Sequence, residues 1–193
     1  MPAFSRAVNI EMDWLDPSSF EIRGTLKDNV HSLEARFVVS FPDFTIREAS
    51  GDITAMPYPG YCQGSLAALE RFAGERIGRG FRRRAGEITG GAASCNHLHT
   101  LVTNMAACAF QMNYVAAKQK PEAAAAMREV RDDARLRREM VLGWMPQLRD
   151  SCFVFSEAAD PLFQLTVEKK DDGSTLSLSE APGPLERTNG KIL

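Results

Sequence analysis

Hydrophobic and polar residues alternate over the first quarter of the chain. Between Phe20 and Asp28, for example, Phe20, Ile22 and Leu26 fall on one face of an extended chain. Alternation of this kind is typical of strands that bury one face. Turn-forming residues separate four such runs, which lie at 8–12, 20–28, 31–41 and 44–49. Because the connections are short, residues 1–55 are predicted to form an antiparallel meander.

A helical pattern follows in the middle of the chain. From Leu98 to Ala117 there is no charged residue, no glycine and no proline. A helix that is apolar on most sides is a buried helix. The pair Gly90-Gly91 permits a tight turn before it, and Ser94 is predicted to be its N-cap. We therefore expect an α+β fold in which this helix covers the sheet. Its predicted core residues are Leu98, Leu101, Val102, Met105, Ala109 and Met112.

Two further helices and a tail complete the prediction. A helix over Gln63–Arg76 would bury Leu66, Leu69, Phe72 and Ala73. A long helix over Glu122–Leu142 has charges of alternating sign and few elements to pack on, so we expect a homodimer. One terminal strand is predicted at Phe163–Val167. Residues 1–168 are predicted to form a single domain, and 169–193 a mobile tail.

Composition excludes several classes of protein. The 193 residues are 44% hydrophobic and 25% charged with a net charge of −2, which favours a globular protein and gives no sign of nucleic-acid binding. Neither a membrane span nor a signal peptide is apparent, so a cytoplasmic location is predicted. The four cysteines form no CxxC pair, which excludes a zinc ribbon or a thioredoxin motif.

A local basic cluster comprises Arg79, Arg82, Arg83 and Arg84. It is interpreted as a solvated face, with carboxylate or phosphate binding as the alternative.

Several residues of the central helix could carry chemistry. Cys95 lies at its first turn, where the helix dipole favours a thiolate, and Cys62 begins the preceding helix in the same way. At about 100° per residue, a narrow polar stripe runs along one side and consists of His97, Asn104, Cys108 and Gln111. This stripe faces either a polar network and solvent or a ligand cavity.

These motifs together resemble a bacterial family of unknown function, DUF2889, from about Ile10 to Cys152. The family pattern is matched at Ile22–Asp28 (I-x-G-x-L-x-D), Pro57–Cys62, Phe72–Gly80, Gly90–Leu98 (GG-x-x-GC-T-H-L), Ala109–Met112 and Asp150–Cys152. Ser94, Asn96 and Met112 depart from it. These departures suggest a specialised member with a different substrate.

A metal site is one interpretation of the matched residues. Thiolate and imidazole are preferred ligands of zinc and ferrous iron, so Cys62, Cys95, His97 and Cys152 could form a set of four. In a regular helix, however, Cys95 and His97 point about 200° apart. They converge only if Cys95 precedes the first turn. The alternative is a site without a metal.

The metal-free interpretation is an acid–base enzyme for a small molecule. His97 would be the acid or base, and a thiolate would be the nucleophile or base. The predicted catalytic residues are His97, Cys95, Gln111 and Asp52, and the predicted substrate-binding residues are His31, Tyr58, Tyr61 and Asn104. We expect a lyase, for example one that removes formaldehyde or CO₂ from a lignin-derived aromatic compound in a pocket lined by aromatic side chains. The alternative function is a non-enzymatic metal or cluster carrier, or a small-ligand-binding protein.

Overall fold

The computed structural model of the protein describes residues 2–156, 165–170 and 173–178. The chain forms two compact units, Met1–Lys120 and Pro121–Leu193. The predicted domain boundary near residue 168 stays a prediction.

The first unit contains a four-stranded antiparallel sheet. Its strands are β1 (Arg6–Asp16), β2 (Ser19–Asp28), β3 (Ser32–Ser40) and β4 (Ile46–Ala55), and their spatial order follows the chain. The predicted meander is therefore confirmed. β4 extends beyond the predicted run because Gly51 fits where a side chain would not: a Cβ there would lie 2.5 Å from the backbone oxygen of Glu34.

Helical segments follow the sheet. They are α1 (Tyr61–Gly64), a 3₁₀ helix (Ser65–Phe72), α2 (Phe81–Thr89), a 3₁₀ turn (Gly91–Ala93), α3 (Asn96–Ala109) and α4 (Gln111–Lys118). The single helix predicted over Gln63–Arg76 is wrong, because the 3₁₀ helix ends at Phe72 and Gly74 turns the chain with a φ of +86°. Ala73, predicted to be buried, is exposed.

The core lies between α3 and the sheet. Every predicted core residue of the central helix is buried, and these residues form one hydrophobic core with the inner face of β2, which presents Phe20, Ile22 and Leu26. Gly24 makes this approach possible, because a Cβ there would lie 2.8 Å from Leu101 Cδ1 and 2.8 Å from Met105 Cγ. Gly24, the glycine of the I-x-G-x-L-x-D motif, thus allows α3 to pack directly over β2. The α+β fold is confirmed.

The start of α3 differs by one residue from the prediction. Cys95 is the N-cap, with extended backbone angles of φ −102° and ψ 130°. The Ser94 hydroxyl instead donates to the backbone oxygen of Ser65 at 3.2 Å, so it is not available to cap the helix. The predicted continuous helix also divides at Phe110 into α3 and α4.

The second unit has two helices where one was predicted. α5 (Pro121–Glu129) and α6 (Ala134–Trp144) are separate, and Asp133 caps α6 by accepting a hydrogen bond from the Leu136 N–H at 2.9 Å. The single helix over Glu122–Leu142 is therefore wrong. Since the homodimer was inferred from that helix, it loses this support and stays a prediction.

A hairpin follows in the second unit, formed by β5 (Leu165–Lys170) and β6 (Gly173–Leu178). β5 overlaps the predicted terminal strand, and β6 lies within the predicted tail. The remainder of the tail, 171–172 and 179–193, lies outside the described residues. Among the described residues, no helix combines the length and apolar character that crossing a membrane requires.

Candidate functional site

The site lies where the β2–β3 turn meets the beginning of α3. Asp28 is the last residue of β2, and its backbone N–H donates to the His31 oxygen at 2.9 Å. Asp28 Oδ1 also accepts the backbone N–H groups of Val30 at 2.9 Å and His31 at 2.7 Å. An aspartate that bonds the backbone two and three residues ahead fixes a turn. This turn holds His31 beside the Asp28 side chain.

The Asp28 carboxylate is buried and surrounded by donors. Its side chain has no exposed surface, and its Oδ2 accepts hydrogen bonds from Arg6 Nε at 3.0 Å and Nη2 at 2.6 Å. Burial opposes ionisation, but the N–H groups of Val30, His31 and Arg6 outweigh it and hold the pKa of Asp28 well below its usual range. Asp28 is therefore an anion at neutral pH.

His31 is oriented by this carboxylate. Its Nδ1 lies 3.0 Å from Asp28 Oδ1 and 3.3 Å from Oδ2. Because an ionised carboxylate only accepts hydrogen bonds, Nδ1 must carry the proton. The other ring nitrogen, Nε2, then has a free lone pair when the ring is neutral. A carboxylate that accepts a hydrogen bond from Nδ1 commonly fixes a catalytic histidine in one tautomer.

Cys95 and His97 converge at the start of α3. Cys95 Sγ lies 3.6 Å from His97 Nδ1, within hydrogen-bonding distance for sulfur. The sequence predicts this convergence only if Cys95 precedes the first turn, and the N-cap position of Cys95 meets that condition. His97 is thus held through Nδ1, as His31 is. In the described part of the chain, no residue forms a hydrogen bond with either Nε2 atom.

The two imidazole rings stack on each other. Their centroids are 3.9 Å apart and their planes are inclined by 32°. Burial, then the neighbouring His31 and Arg6, lower the pKa of His97, and Asp28 opposes this only in part. His97 is consequently neutral at pH 7 and able to accept a proton.

A metal ion is a less suitable occupant of these side chains. Ligand atoms of Asp28, His31 and His97 lie within 4.8 Å of one another, the one such group of three among the described residues. However, the Asp28 oxygens already accept hydrogen bonds from Arg6 and from backbone N–H groups. A metal cation bound there would also be repelled by the positive charge of the Arg6 guanidinium. A metal must also lie in the plane of each imidazole, about 2.0–2.1 Å from its nitrogen. Two rings that stack with centroids 3.9 Å apart and planes inclined by 32° do not meet this condition without rotation of one ring.

Within the first unit, the predicted metal ligands Cys62, Cys95 and His97 do not form a group of three. Among the described residues, the only group of three or more metal-ligand side chains contains none of the cysteines. Cys62 is half-buried in α1, and Cys152 is exposed in the second unit. Of the three predicted ligands in the first unit, only Cys95 and His97 are brought together.

Two predicted catalytic residues lie away from the histidine pair. Asp52 is exposed on β4, because its neighbour Ile53 points into the core and successive strand residues face opposite sides. Gln111 is exposed and comes 14 positions after His97, a rise of about 21 Å along a helix. Neither is therefore part of the site.

The predicted substrate-binding residues also separate. Tyr58 and Tyr61 are 67% and 88% exposed, so their rings do not line an enclosed pocket. Asn104 is exposed on α3 and donates from Nδ2 to the Thr100 oxygen at 2.8 Å. Of the four, only His31 lies at the site.

The part of the chain that contains this site matches a known protein family. The sequence profile of a family described as a protein of unknown function (DUF2889) matches residues 5–111, more than half of the chain. The chain belongs to the DUF2889 family. No curated protein and no solved structure matches it. The resemblance seen in the sequence is confirmed.

The DUF2889 match includes every residue of the described site. Arg6, Asp28, His31, Cys95 and His97 all fall within the matched residues, whereas the late motif at Asp150–Cys152 lies beyond them. The DUF2889 region therefore contains all five of these residues.

Sequence reasoning missed Asp28 and Arg6. Asp28 ends the DUF2889 strand motif, where the alternating pattern indicates only a strand. Its position three residues before His31 was the available signal. Arg6 carries no such signal, because it reaches Asp28 only through the register of β1 and β2, in which the two residues are paired.

Proposed function

We propose that this DUF2889 protein is a small-molecule lyase in which His97 and His31 form an acid–base pair. The observation that carries the proposal is the stacking of two imidazoles at 3.9 Å, each held through Nδ1 and each leaving Nε2 unbonded among the described residues. Two histidines so close cannot readily carry charge together. One neutral and one protonated ring is the expected working state.

The surroundings divide the roles between the two rings. His97 has a lowered pKa, and no carboxylate of the described residues lies within hydrogen-bonding distance of its ring, so it serves as the base. His31 bonds the Asp28 carboxylate, which supplies the negative charge that a protonated ring requires, so it serves as the acid. Cys95 holds His97 in place through its Nδ1.

This division suits the removal of formaldehyde from an aromatic compound with a 1,3-diol side chain. His97 takes the proton of the terminal hydroxyl, and the bond from the hydroxymethyl carbon to its neighbour breaks. Formaldehyde leaves, and the released electron pair forms a double bond as the second hydroxyl departs. His31 protonates that hydroxyl to give water. The products are an alkene, formaldehyde and water. Transfer of the proton from His97 to His31 then returns both rings to their starting states. Loss of CO₂ would use the same acid to protonate the resulting carbanion.

The test is turnover of a panel of aromatic 1,3-diols and aromatic acids. Formaldehyde is measured by derivatisation and the alkene by its absorbance. Variants His97→Gln and His31→Gln should lose about 100-fold or more in turnover, whereas His99→Gln should retain it. His99 lies on the same helix, but its Nδ1 bonds the Thr89 hydroxyl at 3.0 Å instead. Equal loss in all three variants would argue against a specific pair.

Elemental analysis distinguishes the metal alternatives. The protein is purified without chelators or a histidine tag, and its turnover is measured before and after dialysis against EDTA. Metal-free protein with full turnover supports the acid–base pair. About one zinc or iron per chain, lost together with activity, would instead favour a metal enzyme, and metal without turnover would favour a carrier.

The pH dependence of turnover should follow His97. Because burial, His31 and Arg6 lower the pKa of His97, the base should remain neutral until the pH falls below about 6.5, its ordinary value. We expect kcat/KM to decline on the acid side with a midpoint below that value. Nuclear magnetic resonance titration of the ring protons measures the same ionisation directly. A midpoint above 6.5 for His97 would contradict the assignment.

Asp28→Asn should lower kcat by about 100-fold, since an amide neither fixes the His31 tautomer nor balances its charge. The amide oxygen can still accept the backbone N–H groups of the turn, so the fold should survive. The matched control is Asp52→Asn, which removes a carboxylate from the exposed side of β4. If the two variants lose activity equally, Asp28 has no special role.

A further inference from the structure

A second feature of the first unit is a pocket of about 350 Å³ beside α2 and α3. Its wall combines polar residues with the apolar side chains of Ile77, Phe81, Ala107 and Phe110. Phe110 packs against Phe44 with centroids 5.0 Å apart, yet it is 39% exposed. A pocket of this size with aromatic walls suits an aromatic ring.

The pocket contains one cation and no acidic residue. Arg82 lines it, and in the described part of the chain no carboxylate lies within ion-pair distance of its guanidinium. The nearby Arg84 differs, because it pairs with Glu75 at 2.7 Å and Glu87 at 3.1 Å. Arg82 is therefore free to bind an anion at the edge of this pocket, and a guanidinium binds a carboxylate through two parallel hydrogen bonds.

The pocket shares α3 with the histidine pair. Asn104, which also lines it, comes seven residues after His97. Seven residues are nearly two turns, so the two lie on a similar side of the helix and about 10.5 Å apart along its axis. A ligand with a single ring would fill the pocket without reaching His97, whereas a longer molecule could reach both.

From these contacts we infer that the pocket binds a carboxylate-bearing aromatic ring of the substrate, with Arg82 as the counter-ion. The identification of this ligand with the substrate rests on the proposed function, but the binding itself does not. Since no residue of the pocket belongs to the histidine pair, binding and turnover can fail independently. The basic cluster thus contains one residue with a ligand-binding role.

The test is titration of the full-length protein with benzoate and with benzamide, followed by amide nuclear magnetic resonance. Benzoate should shift the amide signals of Thr103, Asn104 and Ala107, and benzamide should bind about tenfold more weakly because it lacks the charge. Arg82→Gln should weaken benzoate binding about tenfold. Arg83→Gln, which changes the next residue of the same helix outside the pocket, should leave the affinity unchanged.

Two further variants complete the test. Ala107→Phe should block benzoate binding by filling the pocket while Arg82 remains, and His97→Gln should bind benzoate normally. Equal affinities for benzoate and benzamide, equal losses in Arg82→Gln and Arg83→Gln, or shifts confined to other residues would each overturn the inference. Normal benzoate binding by a protein that turns over no diol or acid would overturn the proposed lyase activity and leave the pocket assignment intact.

Discussion

Replacing His97 with glutamine is expected to lower kcat by 10²–10⁴-fold, the usual contribution of a general base, or about 3–5 kcal/mol of transition-state stabilisation. Glutamine has a similar size and can still bond Cys95 Sγ, but its amide does not accept a proton. The measurement is single-turnover kinetics with the diol that the wild-type protein converts. Substrate affinity should change little, because the substrate ring binds elsewhere in the proposed arrangement.

Two controls separate catalysis from structure in this variant. Thermal unfolding of His97→Gln should resemble that of the wild-type protein, because His97 is half-buried and lies outside the hydrophobic core. Cys95→Ser tests whether the thiol only orients the ring, since a hydroxyl can form the same hydrogen bond. If Cys95→Ser were as inactive as His97→Gln, the thiol would have a chemical role of its own, and if His97→Gln kept full activity, His97 would not be the base.

Replacing Gly90 with alanine should destabilise the protein by about 2–4 kcal/mol, through overpacking and loss of a hydrogen bond. A Cβ at Gly90 would lie 2.4 Å from the backbone oxygen of Gly86. That same oxygen accepts the Gly90 N–H at 2.9 Å. The end of α2 and the loop that carries Cys95 would have to separate. For a chain of this size the melting temperature should fall by about 4–16 °C.

The matched control is Gly86→Ala, four residues earlier. A Cβ there meets nothing within 4 Å, and alanine favours a helix over glycine by about 1 kcal/mol. Gly86→Ala should therefore be neutral or stabilising. Calorimetric unfolding of the two variants measures the difference. Similar melting temperatures for the two variants would show that the loop after α2 can shift at little cost. In that case Gly90 would not determine the position of the loop.

The strands and the core helix could be predicted because their signals are local. Alternation places Phe20, Ile22 and Leu26 on one face whatever else the chain does, and helical spacing does the same for Leu101 and Met105. The sequence also indicates a turn at the glycine pair, but it does not distinguish the roles of the two glycines. Gly91 has a φ of +58°, which favours glycine, whereas Gly90 is needed because a side chain would meet α2.

The predicted site was only partly correct for a physical reason. A polar stripe places residues on one side of a helix but at different heights, so His97, Asn104 and Gln111 are separated by about 10 Å or more. Convergence of Cys95 with His97 depended on whether the helix begins at residue 95 or 96, and periodicity does not define a helix end that closely. No single segment of the sequence predicts that His31 and His97 lie together, because they are distant in the chain.

The sequence by itself determined the family, the α+β class, the antiparallel order of the strands and the buried face of α3, because each follows from short-range patterns. It also placed His97 and Cys95 among the reactive candidates. Only the tertiary structure decided their partners. Docking of α3 over Gly24 brings His97 against His31, and the β1–β2 register brings Arg6 to Asp28. Such contacts join residues far apart in the chain, and they exist only once the strands have paired and the helix has packed on the sheet.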